Sequence, residues 1–91
     1  MAYRVQWSNA AVKDLRRLDA QTNRLIRTWV RNNLENCDNP RTIAGGKPLQ
    51  GRKSAWRYRV GSYRLLVTTL DEELLIRVVK AGHRQGVYSN L

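Results

Sequence analysis

Residues 56–64 read Trp56-Arg57-Tyr58-Arg59-Val60-Gly61-Ser62-Tyr63-Arg64, with aromatic or apolar side chains alternating with arginines up to a Gly-Ser pair and resuming after it. This is the pattern of a β-hairpin. A two-residue turn at Gly61-Ser62 pairs Val60 with Tyr63, Arg59 with Arg64, Tyr58 with Leu65 and Arg57 with Leu66. Side chains alternate faces along a strand, so Trp56, Tyr58, Val60, Tyr63, Leu65 and Val67 share one side and Arg57, Arg59 and Arg64 the other. Like charges set directly opposite destabilise an antiparallel pair by a few tenths to about 1 kcal/mol, so folding alone gives no reason for Arg59 to face Arg64. An anionic partner reverses that sign.

Downstream, Asp71-Glu72-Glu73 marks a second turn, and Leu74, Ile76 and Val78 continue the apolar face. Closing Leu70 on Glu73 pairs Leu66 with Arg77 and Arg64 with Val79, which brings Arg77 onto the arginine face of a three-strand meander. Gly82 ends the third strand. The segment Gly82-His83-Arg84-Gln85-Gly86-Val87-Tyr88 then returns one His, one Arg and one Tyr toward the sheet.

Upstream, residues 41–54 read as an irregular basic loop containing Gly45-Gly46-Lys47-Pro48 and Gly51-Arg52-Lys53-Ser54. No G-x-x-x-x-G-K-[ST] occurs in it, so it is not a nucleotide-binding P-loop. At the start of the chain Tyr3, Val5 and Trp7 alternate with Arg4 and Gln6, which predicts a short half-buried strand. Ser8 then caps a first amphipathic helix built on Ala11, Leu15 and Leu18. Asp19 caps a second, whose apolar stripe is Leu25, Ile26, Trp29, Val30 and Leu34, and Pro40 forbids its continuation. Arg16, Arg17, Arg24, Arg27 and Arg31 fall on the polar faces of these helices, where a solvated surface is the commoner reading. The order strand, helix, helix, three strands predicts a single α+β domain over residues 1–91, with a helical hairpin packed on one face of a mostly antiparallel sheet. The opposite, arginine-rich face is expected to be uncovered.

The 91 residues carry 17 Lys and Arg against 7 Asp and Glu, a formal charge of +10. Such an imbalance favours nucleic acid or an acidic protein as partner. The single Cys37 forms no internal disulfide, fits a reducing compartment and, with one His, excludes the usual Cys/His zinc cages. No stretch has signal-peptide or membrane-spanning character. A cytoplasmic protein without metal or cofactor is expected.

If the anion is RNA, its 2′-hydroxyl can attack the neighbouring phosphate without a metal. A group must take the hydroxyl proton, another must neutralise the phosphorane, and a third must protonate the departing 5′-oxygen. Arg59 and Arg64 suit the second task, because guanidinium stays charged and forks onto two phosphate oxygens. His83 is the one side chain with an ordinary pKa near neutrality and is the candidate proton carrier. Tyr88 can stack on a splayed base. Lys47, Arg52, Lys53 and Arg77 are the candidate RNA-binding residues around this set.

Taken in order, the N-terminal strand, the helical hairpin, Leu49-Gln50-Gly51, Trp56 to Arg64 with Tyr63-Arg64-Leu65, and Gly82-His83-Arg84 with Val87-Tyr88 resemble the RelE family within the RelE/ParE toxin superfamily. The resemblance covers nearly the whole chain. It implies a RelE-like β-α-α-β-β-β fold and the toxin of a type II toxin–antitoxin system. It further implies an endoribonuclease (mRNA interferase) that cleaves mRNA in the A site of the 70S ribosome and inhibits translation. The implied partners are a RelB-like antitoxin and, through the toxin–antitoxin complex, operator DNA. By the same resemblance Arg57 and Arg59 stand where well-studied members have lysines, one of them proposed as general base. Arg64 matches the arginine that stabilises the transition state, Arg84 the arginine proposed to protonate the leaving group, and Tyr88 the tyrosine that orients the mRNA. The exchange of both lysines for arginine leaves the base unassigned and makes His83 the residue to examine. Two alternatives carry different expectations: a ParE-like toxin that inhibits gyrase without nuclease chemistry, and a non-catalytic basic RNA-binding module.

Overall fold

The computed structural model describes residues 2–49, 51 and 54–83, with the side chain of His83 excepted. Strand β1 (Arg4–Trp7) leads into helix α1 (Asn9–Arg16) and helix α2 (Ala20–Asn33), followed by β2 (Gly46–Pro48), β3 (Ala55–Val60), β4 (Tyr63–Leu70) and β5 (Leu75–His83). The five strands form one sheet in the order β1-β5-β4-β3-β2. Only the β1–β5 pair is parallel. The expected α+β arrangement, with two helices on a mostly antiparallel sheet, is what the chain adopts.

Both helices begin where their caps predict. Ser8 is extended and its Oγ accepts the Ala11 N–H at 3.0 Å, while Asp19 accepts the Thr22 N–H at 3.3 Å. Each bond satisfies one of the amide donors that a helix start leaves unpaired. The Asn23 side-chain amide donates to the Leu15 carbonyl at 2.9 Å and so ties the second helix to the first. Past α2 the chain turns through Asn36 in the left-handed region, and its N–H donates to Tyr3 O at 2.8 Å while Tyr3 N–H donates to Cys37 O at 3.0 Å. The entry to β1 and the exit from α2 are therefore held together.

The core lies between the helices and one sheet face. Ala11, Leu15, Ile26, Val30 and Leu34 come from the helical side, and Tyr58, Val60, Leu65, Val67, Ile76, Val78 and Ala81 from the sheet. Each fully buried aliphatic side chain contributes about 1.5–3 kcal/mol relative to exposure. Tyr58 is fully buried, donates its hydroxyl to Pro40 O at 2.5 Å and packs its ring 5.4 Å from that of Trp29. Burial raises its phenol well above the ordinary value.

The first hairpin has the register expected from the sequence, from Val60 opposite Tyr63 to Arg57 opposite Leu66. Gly61 takes φ 61° at the first turn position, as a Gly-X turn requires. The second hairpin differs from expectation. Residues Asp71–Glu73 form a 3-10 turn and Leu74 follows in the left-handed conformation at φ 51°, so Leu70 closes on Leu75 and not on Glu73. An Asp-Glu-Glu run supplies no glycine or asparagine for a two-residue hairpin turn, so the connection is longer. Arg41 and Tyr3 also hold this turn, donating to the Asp71 carboxylate at 2.7 and 2.8 Å. Thr68, not Leu66, therefore pairs with Arg77. A β-bulge then adds one residue to β5: Val67 pairs with Val78 but Leu66 with Lys80, so Arg64 meets Gly82 in place of Val79. Gly82 lies inside the strand rather than ending it, since β5 runs to His83.

The segment read as an irregular loop also acquires structure. Pro40–Thr42 form a 3-10 turn, and β2 pairs with β3, Gly46 opposite Tyr58 and Lys47 opposite Arg57. Glycine is required at 46 because a Cβ there would stand 2.4 Å from Trp56 Nε1 and 2.7 Å from Tyr58 Cε1. The strand forms because the backbone can press onto two aromatic rings.

Candidate functional site

Strand alternation carries the arginines to the sheet face opposite the helices. One row across this face runs Arg59, Arg64, Gly82 and the next runs Lys47, Arg57, Leu66, Lys80. Neighbouring strands are about 4.8 Å apart, so these rows gather five cationic residues, Arg64 among them, around Leu66. Arg59 is exposed, Arg57 half-buried and Lys47 exposed at the sheet edge.

Arg64 differs from its neighbours. It is 5% exposed, and among the described residues its Nε has no hydrogen-bond partner. The expectation of an uncovered face is corrected here, because Leu66 at 1% and Leu75 at 8% are buried on it too. The physical reason is the position of β4 in the middle of the sheet. Leu66 stands between Arg57 and Lys80 and Arg64 beside Arg59, and the aliphatic stems of such long cationic side chains can cover a neighbour while the charge stays wet. A buried guanidinium with an orphaned donor, facing another arginine, is costly to the fold. A forked donor pair next to a second guanidinium has the geometry to match the oxygens of a phosphate.

Arg77 shares the face but not the cluster. Its row is Thr68, Arg77, Gln6, and its Nε donates to Gln6 Oε1 at 3.1 Å. Along β4 that row lies four residues from Arg64, about 13 Å at the usual strand rise. The backbone of His83 pairs with that of Tyr63, the rung beyond Arg64 and Gly82. Arg52, Lys53, Arg84 and Tyr88 lie outside the described residues. The sequence gives no sign that Lys80 and Gly82 end the two arginine-bearing rows, because a bulge leaves no period-two signature. Arg16, Arg17, Arg24, Arg27 and Arg31 are exposed on the helices, and Arg27 donates to Asn23 Oδ1 at 2.6 Å. They form a solvated face remote from the sheet site.

The chain matches, over residues 5–88, the family described as the ParE toxin of the type II toxin–antitoxin system parDE. It is 31% identical over 87 residues, covering 93% of this chain and 86% of the relative, to a putative RelE-like toxin protein of Escherichia coli. Solved structures share the fold across almost the whole length. The RelBE2 toxin–antitoxin complex from Mycobacterium tuberculosis matches with a TM-score of 0.78 and 27% identity, over 92% of this chain and 93% of that one. A mutant of the E. coli toxin RelE in its free state matches with a TM-score of 0.76 and 26% identity, over 98% and 93%. The archaeal RelE–RelB complex from Pyrococcus horikoshii gives 0.73 and 28%, over 92% and 97%.

Proposed function

The chain belongs to the RelE/ParE superfamily and is the toxin of a type II toxin–antitoxin system, and from that premise we propose that it is a ribosome-dependent endoribonuclease. The observation that carries this reading is Arg64, buried, with an Nε that has no partner among the described residues, and set directly opposite Arg59. In the proposed reaction the 2′-oxygen of the mRNA attacks the adjacent phosphorus, the new O2′–P bond forms, and the P–O5′ bond breaks. Arg64 and Arg59 hold the extra negative charge of the phosphorane, where preorganised donors act most strongly in a water-poor site. Arg57 and Lys47 bind the flanking backbone. Arg84 protonates the 5′-oxygen, Tyr88 stacks on a base, and His83 is the candidate to take the 2′-hydroxyl proton, since arginine remains protonated at neutral pH.

Primer extension on mRNA translated in the presence of the protein tests the reading. Cuts inside A-site codons are expected, with Arg64→Ala lowering cleavage at least 100-fold. His83→Gln separates the proton-transfer role from the rest, and near-wild-type turnover of that variant removes His83 from the scheme. A second reading is favoured by the family description, which names the ParE toxin. Intact translated mRNA together with gyrase-dependent DNA damage would establish it.

The proposed neutralising partner is a RelB-like antitoxin presenting an acidic, amphipathic segment to a protein of charge +10. Solved relatives include RelE–RelB complexes. Operator binding through that complex, and a cytoplasmic location beside the ribosome, belong to the same proposal.

A further inference from the structure

The bulge in β5 changes which face Lys80 occupies. In an unbroken ladder continuing from Val67–Val78, Leu66 would pair with Val79 and Leu65 with Lys80, which would turn a lysine into the helix-packed core. The extra residue instead sets Ala81 opposite Leu65, where it is 5% exposed, and Lys80 opposite Leu66 on the arginine face. Bulges next to functional sites commonly re-aim a side chain in this way. This one is held by α1: the Ser8 hydroxyl donates to Val79 O at 3.3 Å, and the Ala81 N–H donates to an Asp14 carboxylate oxygen at 3.1 Å. One rung on, Gly82 stands opposite Arg64 and places no side chain between Arg64 and this end of β5. Lys80 is then the diagonal neighbour of Arg64, about 7–8 Å away between Cα atoms.

We propose that Lys80 is a substrate-contacting residue of the arginine face. It binds a non-bridging oxygen of an RNA backbone phosphate next to the one held by Arg64 and Arg59, with the Gly82 gap admitting the strand. This rests on the reading of the face as an RNA site. Keeping residue 80 out of the core would be served by any polar side chain there, whereas a third cation beside a buried arginine adds repulsion that a polyanion crossing the face turns into one more charge contact. A lysine serves here as a compact point charge, complementing the forked arginines.

The test measures binding of a short single-stranded RNA whose 2′-hydroxyls are all methylated, so that no cleavage can follow, across a salt series. Lys80→Met keeps the aliphatic stem and loses the charge. It is expected to weaken binding and to flatten the slope of log Kd against log salt by about 0.7, the value for one lost phosphate contact on a single strand. Lys80→Arg is expected to keep the wild-type slope, and Arg17→Met, which removes the same charge from the helical face, to leave it unchanged. An unchanged slope for Lys80→Met, or an equal change for Arg17→Met, overturns the assignment. Cleavage of translated mRNA is scored separately. A protein that binds through Lys80 but never cleaves refutes the nuclease reading and leaves this one standing. A protein that cleaves through Arg64 with a Lys80-independent slope does the reverse.

Discussion

Replacing Arg64 with methionine should make the protein more stable and inactive. Arg64 is 5% exposed, its Nε is unpartnered among the described residues, and it faces Arg59 across the β3–β4 pair. A buried donor left without an acceptor costs about 1–3 kcal/mol, and directly opposed like charges add a few tenths to about 1 kcal/mol. Methionine keeps a long unbranched stem in the same space and removes both penalties. A gain of about 1–3 kcal/mol follows, the direction seen when buried ionic groups are exchanged for apolar ones of similar volume. Urea unfolding should show the midpoint rising at constant m, and each kcal/mol should raise Tm by about 4–8 °C for a domain of this size. The same variant should lose mRNA cleavage. A fall in stability of more than about 1 kcal/mol would refute the reasoning, because it would mean that the guanidinium is satisfied by the fold and is not held in readiness for an anion.

Other perturbations test the supporting frame. Gly46→Ala should cost about 1–3 kcal/mol, since its Cβ would lie 2.4 Å from Trp56 Nε1; an unchanged Tm would show that β2 yields freely. Tyr58→Phe leaves the buried Pro40 carbonyl without its 2.5 Å donor and should lose about 1–3 kcal/mol in denaturant unfolding. Arg41 first, and Tyr3 second, hold the Asp71 carboxyl below the usual carboxylate range. Its contribution is therefore present above the unfolded-state pKa and lost as pH falls through the depressed folded value. Because the pair is 38% and 51% exposed, the effect should be only a few tenths to about 1 kcal/mol, and Asp71→Asn should shallow the acid limb of stability against pH by that amount. Ser8→Ala removes a helix cap and the bond to Val79 O together, and should lower stability by about 1–2 kcal/mol in thermal unfolding.

Much of the frame is legible because it depends on local rules. The caps at Ser8 and Asp19, the helical stripe through Ile26 and Val30, and the Gly61-Ser62 turn each act within a few residues. The structure follows all of them. The β4–β5 register departs from the sequence expectation because it rests on contacts distant in sequence. Asp71 is held by Tyr3, 68 positions away, and the bulge is satisfied by Ser8 and Asp14 from the other end of the chain. β2 escaped notice for a similar reason: a three-residue strand has too little periodicity to be seen, and its existence depends on Gly46 fitting against Trp56 and Tyr58.

The alternation from Trp56 to Arg64, read alone, determined that Arg59 and Arg64 would face each other on the same side of a sheet. That followed from period-two geometry and one turn, both of which act within nine residues, and it holds only while the register does. Tertiary structure decided that Arg64 is buried while Arg59 is open, that Arg77 stands apart, and that Gly82 and Lys80 end the two adjacent rows. Burial depends on a strand's place within the sheet, and the ends of the rows depend on a bulge anchored by a helix. Both are set by packing between segments that the sequence keeps far apart.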